Sequence, residues 1–241
     1  MPDERNAAAT EHADRVREMF ANIAARYDLL NHLLSGNVDK KWRRRAARMV
    51  GEHLPPTNAR VLDVACGTGD LSLTMFETTG ASVIGSDFCR PMLEIAARKV
   101  AATGAIPLIE GDALRLPFQE GSFDAATIAF GLRNLADAGG GLEEIHRILR
   151  PGGWVAVLEF SKPVIPGFRL LFHLYFTRVL PLLGGLVSGS RRAYEYLPNS
   201  VSRFMDQEEL ADLMRKVGFG EVRYQNFTGG IAALHMGQRA K

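Results

Sequence analysis

From Arg60 onward, short apolar runs alternate with stretches whose apolar residues recur every three or four positions. The runs are Arg60–Ala65 (RVLDVA), Ser82–Ser86 (SVIGS), Ile106–Glu110, Ser122–Phe130 and Trp154–Phe160, and they predict five strands. The stretches between them, Leu71–Glu77, Pro91–Ala101 and Leu142–Leu149, predict helices. Pro91 suits a first helical turn, and Met92, Ile95, Ala96 and Val100 form one apolar stripe behind it. Strands that alternate with helices build βαβ units, which predicts an α/β protein with a Rossmann-like, doubly wound, mostly parallel sheet. After these units, Asp206–Val217 reads as a helix with Asp206 as its N-cap and Glu209 three residues later. Glu221–Phe227 and Ile231–Gln238 flank Thr228-Gly229-Gly230 and predict a closing antiparallel hairpin, which brings the sheet to seven strands.

The ends of the chain and one inner segment depart from this rhythm. Residues 1–13 are polar and alanine-rich and read as a disordered tail, leaving 14–241 as one domain. Within it, 14–56 reads as a helical lid. Val16, Met19, Phe20, Ile23 and Ala24 form a stripe in its first helix. Its second helix, from about Lys40 to His53, carries Lys40, Lys41, Arg43, Arg44, Arg45 and Arg48 and stops at Pro55-Pro56. Residues 163–200 read as an apolar helical insertion, broken by Pro181 and Gly184-Gly185.

Composition narrows the function classes. With 46% hydrophobic and 23% charged residues over 241 positions, the chain can bury one full core. A net charge of +2 argues against nucleic acid as a partner, because phosphate contact is an electrostatic effect. Cys66 and Cys89 have no metal-ligand spacing, so no metal site is expected, and two lone cysteines fit a reducing, cytoplasmic setting. Met1–His12 has no apolar core of a secretory signal, and no run of 18 apolar residues predicts a spanning helix.

In a doubly wound sheet, ligands bind outside the carboxyl ends of the strands. Four features fall there: Gly67 and Gly69 after the first strand, Asp87 ending the second, Asp112 after the third and Phe130–Asn134 after the fourth. The glycines allow a tight turn and close backbone approach to a ligand. The dinucleotide fingerprint G-x-G-x-x-G fails at Ser72, and no lysine follows Gly69 as a P-loop requires. Asp87, 18 residues after Gly69, can accept two ribose hydroxyls, and Asp112 can meet an adenine amino group. Taken singly, Asp87 also reads as a helix N-cap and Asp112 as a turn residue. In order at strand ends they fit a nucleoside without pyrophosphate best, which points to S-adenosylmethionine.

The segments Val61–Asp70 (VLDVACGTGD), Gly85-Ser86-Asp87-Phe88, Gly111-Asp112-Ala113 and Leu149–Gly153 (LRPGG) resemble those of class I methyltransferases. Phe20–Asn31 (FANIAARYDLLN), Phe130–Asn134 (FGLRN), Glu159–Pro163 (EFSKP), Tyr194–Phe204 (YEYLPNSVSRF) and Thr228-Gly229-Gly230 with His235 resemble, more narrowly, the quinone-biosynthesis C-methyltransferase family. That resemblance implies methylation of demethylmenaquinol or, in some members, of a methoxy-polyprenyl-benzoquinol. It implies Thr68, Asp87, Asp112 and Ala113 as cofactor contacts beside Gly67 and Gly69. Two positions depart from the pattern: Ala129 stands where some members have a serine that touches the cofactor, and Cys89 where serine is usual.

C-methylation needs an electron-rich ring carbon, so the acceptor must be a reduced, partly deprotonated quinol, held in line by apolar walls. Arg133 is the candidate to stabilise a phenolate and Asn134 to hold a hydroxyl, with pairing of Arg133 to a structural carboxylate as the plainer alternative. Tyr194 and Tyr196 are candidates for the substrate side; Tyr27, Asp28 and Asn31 for the lid; His235 for a base, although a satisfied structural histidine is the commoner outcome in a hairpin. The apolar segment 163–190, with Arg169 and Arg178 inside it and Arg191 and Arg192 beyond, suits an isoprenoid tail, peripheral contact with the inner face of a membrane, or a homodimer interface. The run 40–48 suits anionic headgroups or a solvated helix face. A methyltransferase with another acceptor, RNA included, and a non-catalytic nucleoside-binding module are the rival readings.

Overall fold

The structure is a computed structural model that describes residues 11, 13–24, 27–28, 35–167 and 191–241, without the side chains of 191–195 and 197. Most of the expected tail, Asn31, the apolar stretch 168–190 and the Tyr194 side chain lie outside the described residues. A helix α1 (13–24) is followed by α2 (Val38–Gly51) and then by the alternating core. That core runs β1 (Arg60–Val64), α3 (Asp70–Thr79), β2 (Ser82–Asp87), α4 (Arg90–Val100), β3 (Leu108–Glu110), β4 (Phe123–Ala129), α5 (Ala138–Ile148) and β5 (Leu149–Phe160). The chain closes with α6 (Arg191–Arg203), α7 (Gln207–Val217), β6 (Phe219–Phe227) and β7 (Ala232–Arg239).

The seven strands lie in the order β3-β2-β1-β4-β5-β7-β6, parallel from β3 to β5, with β7 antiparallel to both β5 and β6. Consecutive strand residues face opposite sides, and a sheet covered on both faces needs apolar residues at every position. The buried residues follow that rule. Val61, Val83, Ala125 and Ala156 pack under Trp42, Ala46 and Val50 of α2 and Leu71 and Met75 of α3. Leu62, Val64, Ala126, Ile128, Val155 and Val157 pack on the other face with Leu142, Ile145 and Ile148 of α5 and Leu210 and Met214 of α7. Asp63 is the polar break in β1. It is fully buried, accepts from Ser72 on α3 and Thr127 on β4 at 2.6 and 2.9 Å, and burial raises its carboxyl from 3.8 to about 6.

Several boundaries differ from the expected ones, for local reasons. β3 starts at Leu108 rather than Ile106, because Pro107 has no N–H for the ladder. α5 starts at Ala138, four residues earlier than expected: Asp137 caps it by accepting from Gly140, and Gly139-Gly140-Gly141 had masked the helical pattern. β5 takes in the stretch Leu149–Gly153, because the ladder to β4 shifts register between Phe123 and Ala125 and absorbs the extra residues. Asp206 and Glu209 form the expected reciprocal capping box on α7.

Candidate active site

Strand order reverses between β1 and β4, so the crevice of the sheet opens at their carboxyl ends. A cavity of ≈ 380 Å³ sits there. Gly67, Asp87, Asp112 and Ala113 line it, as does Asn134; Thr68, Gly69 and Arg133 do not. Further walls include Phe88, Cys89 and Met92 around the start of α4, Leu114, Ala129–Gly131, and Arg17, Phe20 and Tyr27 of the N-terminal helical residues.

The glycine turn is built by backbone geometry. Gly69 has φ +82°, and a Cβ added there would stand 3.2 Å from the Ala96 Cβ of α4. An alanine would therefore be strained and crowded at once. Gly67 donates its N–H to Asp87 Oδ2 at 2.8 Å, and Cys89 donates to Oδ1 at 2.8 Å. Each carboxylate oxygen keeps a second lone pair, so Asp87 can still accept two hydroxyls from a ligand. Burial raises the Asp87 carboxyl, and the backbone N–H groups of Cys89, Gly67 and Phe88 pull it back. Asp112 is exposed and accepts from Leu114 N at 2.9 Å. Ser86 also lines the cavity, and its buried hydroxyl has no protein partner. A paired acceptor, an exposed carboxylate and an orphan hydroxyl around apolar walls fit a nucleoside.

The other end of the cavity is strained. Ala65 (φ 50°) and Phe130 (φ 57°) are both left-handed at strand ends and both line the cavity. Gly131 fits between them and β4: an added Cβ would stand 2.8 Å from the Ala65 Cβ. The twist at Phe130 leaves its carbonyl accepting from Arg133 Nη1 at 2.5 Å and from Asn134 Nδ2 at 3.1 Å. Tyr196 donates to Asn134 Oδ1 at 3.0 Å, and burial raises its hydroxyl, with Arg133 lowering it and Glu159 raising it.

Arg133 realises the plainer of its two expected readings. Its side chain is 5% exposed and pairs at 2.8 Å with Glu159, which is 2% exposed. Its Nε is left without a protein acceptor. His235 is also buried, on β7 opposite Val157, with Nε2 2.8 Å from the Gln207 carbonyl. Burial lowers its pKa, and it does not line the cavity. Thr68, expected as a cofactor contact, is 2% exposed and donates its hydroxyl to Asp28 at 2.5 Å. Among the described residues no group of His, Cys, Asp and Glu is arranged to hold a metal ion, and no helix is long and apolar enough to cross a membrane.

Comparison with known proteins places this geometry. Residues 8–239 match the model of the ubiE/COQ5 methyltransferase family. A demethylmenaquinone methyltransferase of Thermus thermophilus is 52% identical over 92% of this chain and 100% of its own. A ubiquinone/menaquinone biosynthesis C-methyltransferase UbiE of a Geobacter species is 46% identical over 96% of this chain and 99% of its own. Among solved structures, a SAM-dependent methyltransferase of Thermotoga maritima, described as a possible histamine N-methyltransferase, superposes with a TM-score of 0.66 at 20% identity, covering 93% of this chain and 99% of that one. At that identity it speaks for the fold alone.

Proposed function

Because the chain belongs to the ubiE/COQ5 methyltransferase family, we propose that it transfers a methyl group from S-adenosylmethionine to a ring carbon of a prenylated quinol, with demethylmenaquinol as the first acceptor. The observation that carries the substrate is the 52% identity to the demethylmenaquinone methyltransferase over that protein's full length. The cavity supports the cofactor: Asp87 would hold the ribose, Ser86 and Asp112 offer polar contacts beside it, and Gly67 lets the backbone approach.

When bound, the cofactor supplies an electrophilic sulfonium methyl, and the protein supplies orientation and electrostatics. Asn134 faces the cavity with Tyr196 at its back, and we assign it to hold a quinol hydroxyl. Arg133 acts from one layer behind. Its guanidinium fixes the Phe130 carbonyl that Asn134 also uses, and its Nε donor has no protein acceptor. Phe20, Phe88 and Phe130 give the apolar walls that keep a ring in line.

Radiolabelled S-adenosylmethionine, demethylmenaquinone and detergent, with and without a reductant, test the reading. Label in the quinone only under reduction is the expected result, because only the quinol carries enough electron density at the ring carbon. Equal label without reductant sinks the quinol mechanism, and cofactor binding without any transfer favours a binding module. The relatives that carry ubiquinone in their names favour a second acceptor, 2-methoxy-6-polyprenyl-1,4-benzoquinol, which the same assay ranks by competition.

A prenylated acceptor resides in a bilayer, and we assign the docking face to α2 and the loop after β5. Arg43 turns inward to Asp39, whereas Lys40, Lys41, Arg44, Arg45 and Arg48 are exposed. Val164 and Ile165 are 58% and 53% exposed. Exposed basic residues suit an anionic surface, at about 1 kcal/mol per cation near it, and exposed apolar ones suit its acyl boundary. Co-sedimentation with vesicles containing phosphatidylserine, lost in high salt and absent with neutral lipid, is the expected result. Equal recovery with both lipids refutes the electrostatic part.

A further inference from the structure

Lys99, near the end of α4, does not line the cavity and has no part in the chemistry above. Its ammonium has three N–H donors, and three acceptors meet it: Asp70 Oδ1 at 2.5 Å, Asp28 Oδ2 at 2.7 Å and Thr68 Oγ1 at 3.2 Å. Thr68 in turn donates to the other oxygen of Asp28 at 2.5 Å. Lysine, threonine and aspartate thus close a ring of hydrogen bonds. The ring joins the N-terminal helical residues, the glycine turn and α4, which are 71 residues apart at its widest span. Asp70 continues it toward Arg43 of α2, 3.9 Å away.

The side chains of Lys99, Asp28 and Asp70 are 23%, 28% and 21% exposed, so these pairs are less screened than pairs on the open surface. Two carboxylates converge on one ammonium; without it they would repel each other across the turn. Asp28 is next in sequence to Tyr27, which lines the cavity and meets the Phe20 ring edge-on at 5.8 Å. The residue that follows the Tyr27 wall is thus tied to a charge outside the cavity.

We propose that Lys99 is a positioning residue: through Asp28 and Thr68 it clamps the Tyr27 wall to the glycine turn, and so sets how tightly the cavity holds its cofactor. The inference rests on the reading of this cavity as the S-adenosylmethionine site.

Calorimetric titration with S-adenosylhomocysteine, together with hydrogen exchange over residues 13–28, tests it on the full chain. Lys99→Met is expected to weaken binding about tenfold and to speed exchange in 13–24, with the KM for S-adenosylmethionine moving more than kcat. Lys99→Arg keeps the charge and several donors and should restore most of the affinity. Asp28→Asn should resemble Lys99→Met, and the double variant should add little to either, since both break one ring. Wild-type affinity and unchanged exchange in both single variants, with or without a fall in Tm, overturn the clamp. If the wild-type chain binds no S-adenosylhomocysteine, the cofactor reading fails instead, and the exchange data alone then decide whether Lys99 holds the wall. Should Lys99→Met not fold, Asp28→Asn and Lys99→Arg carry the same comparison.

Discussion

Asp87→Ala is expected to weaken S-adenosylhomocysteine binding by more than about a hundredfold, the equivalent of about 3 kcal/mol or two charge-assisted hydrogen bonds. Methyl transfer should fall with it. The carboxylate receives the N–H groups of Gly67 and Cys89 at 2.8 Å each, and on the proposed reading the remaining lone pair on each oxygen takes a ribose hydroxyl. Asp87→Asn is therefore not a mild change. Its NH2 group would take the place of one oxygen and point a donor at the N–H of Gly67 or of Cys89. We expect Asn to lose almost as much affinity as Ala. Both variants should also unfold at lower temperature, so affinity must be read well below Tm. An Asp87→Asn chain that binds within threefold of wild type would show that the ligand does not need the carboxylate.

The second large effect concerns the pair behind Asn134. Glu159→Ala should destabilise the fold by about 3–5 kcal/mol, because it leaves the Arg133 charge buried without its counter-charge. It would also strip an acceptor from the Phe160 N–H, now bonded at 2.9 Å. Arg133→Met combined with Glu159→Met should recover most of that loss, since apolar side chains of similar volume often replace a buried ion pair at little cost. Methyl transfer should not recover with it. Without the guanidinium, the Phe130 carbonyl loses its 2.5 Å donor, the left-handed turn relaxes, and Asn134 moves from the cavity wall. Urea midpoints give the stability arm and kcat under reducing conditions gives the other. A double variant that is both stable and active would remove Arg133 from the machinery altogether.

How much of this was legible in the chain depends on the range of the interaction. That Asp87 and Asp112 line the cavity was legible because a parallel sheet sends every strand's carboxyl end to the same edge, so a residue's place in the alternation already gives its place in space. The same logic found Gly67 and, after β4, Asn134. Ser86 was missed although it is adjacent to Asp87: a serine at a strand end carries no periodic signal, and only packing shows that its hydroxyl is buried without a partner.

The sequence by itself determined the βαβ order, the closing hairpin, the glycine turn and the edge of the sheet where a ligand would bind, because hydrophobic period and turn chemistry act over a few residues. Only the tertiary structure decided which polar groups face that ligand. Arg133 and Glu159 are 26 residues apart, Thr68 and Asp28 are 40 apart, and each pair turns a candidate contact into a partner of another side chain. A charge in a low-dielectric interior takes the nearest opposite charge that the fold brings to it. Separation along the chain does not encode that distance, which is why the partners of Arg133 and of the Thr68 hydroxyl could not be read from the sequence.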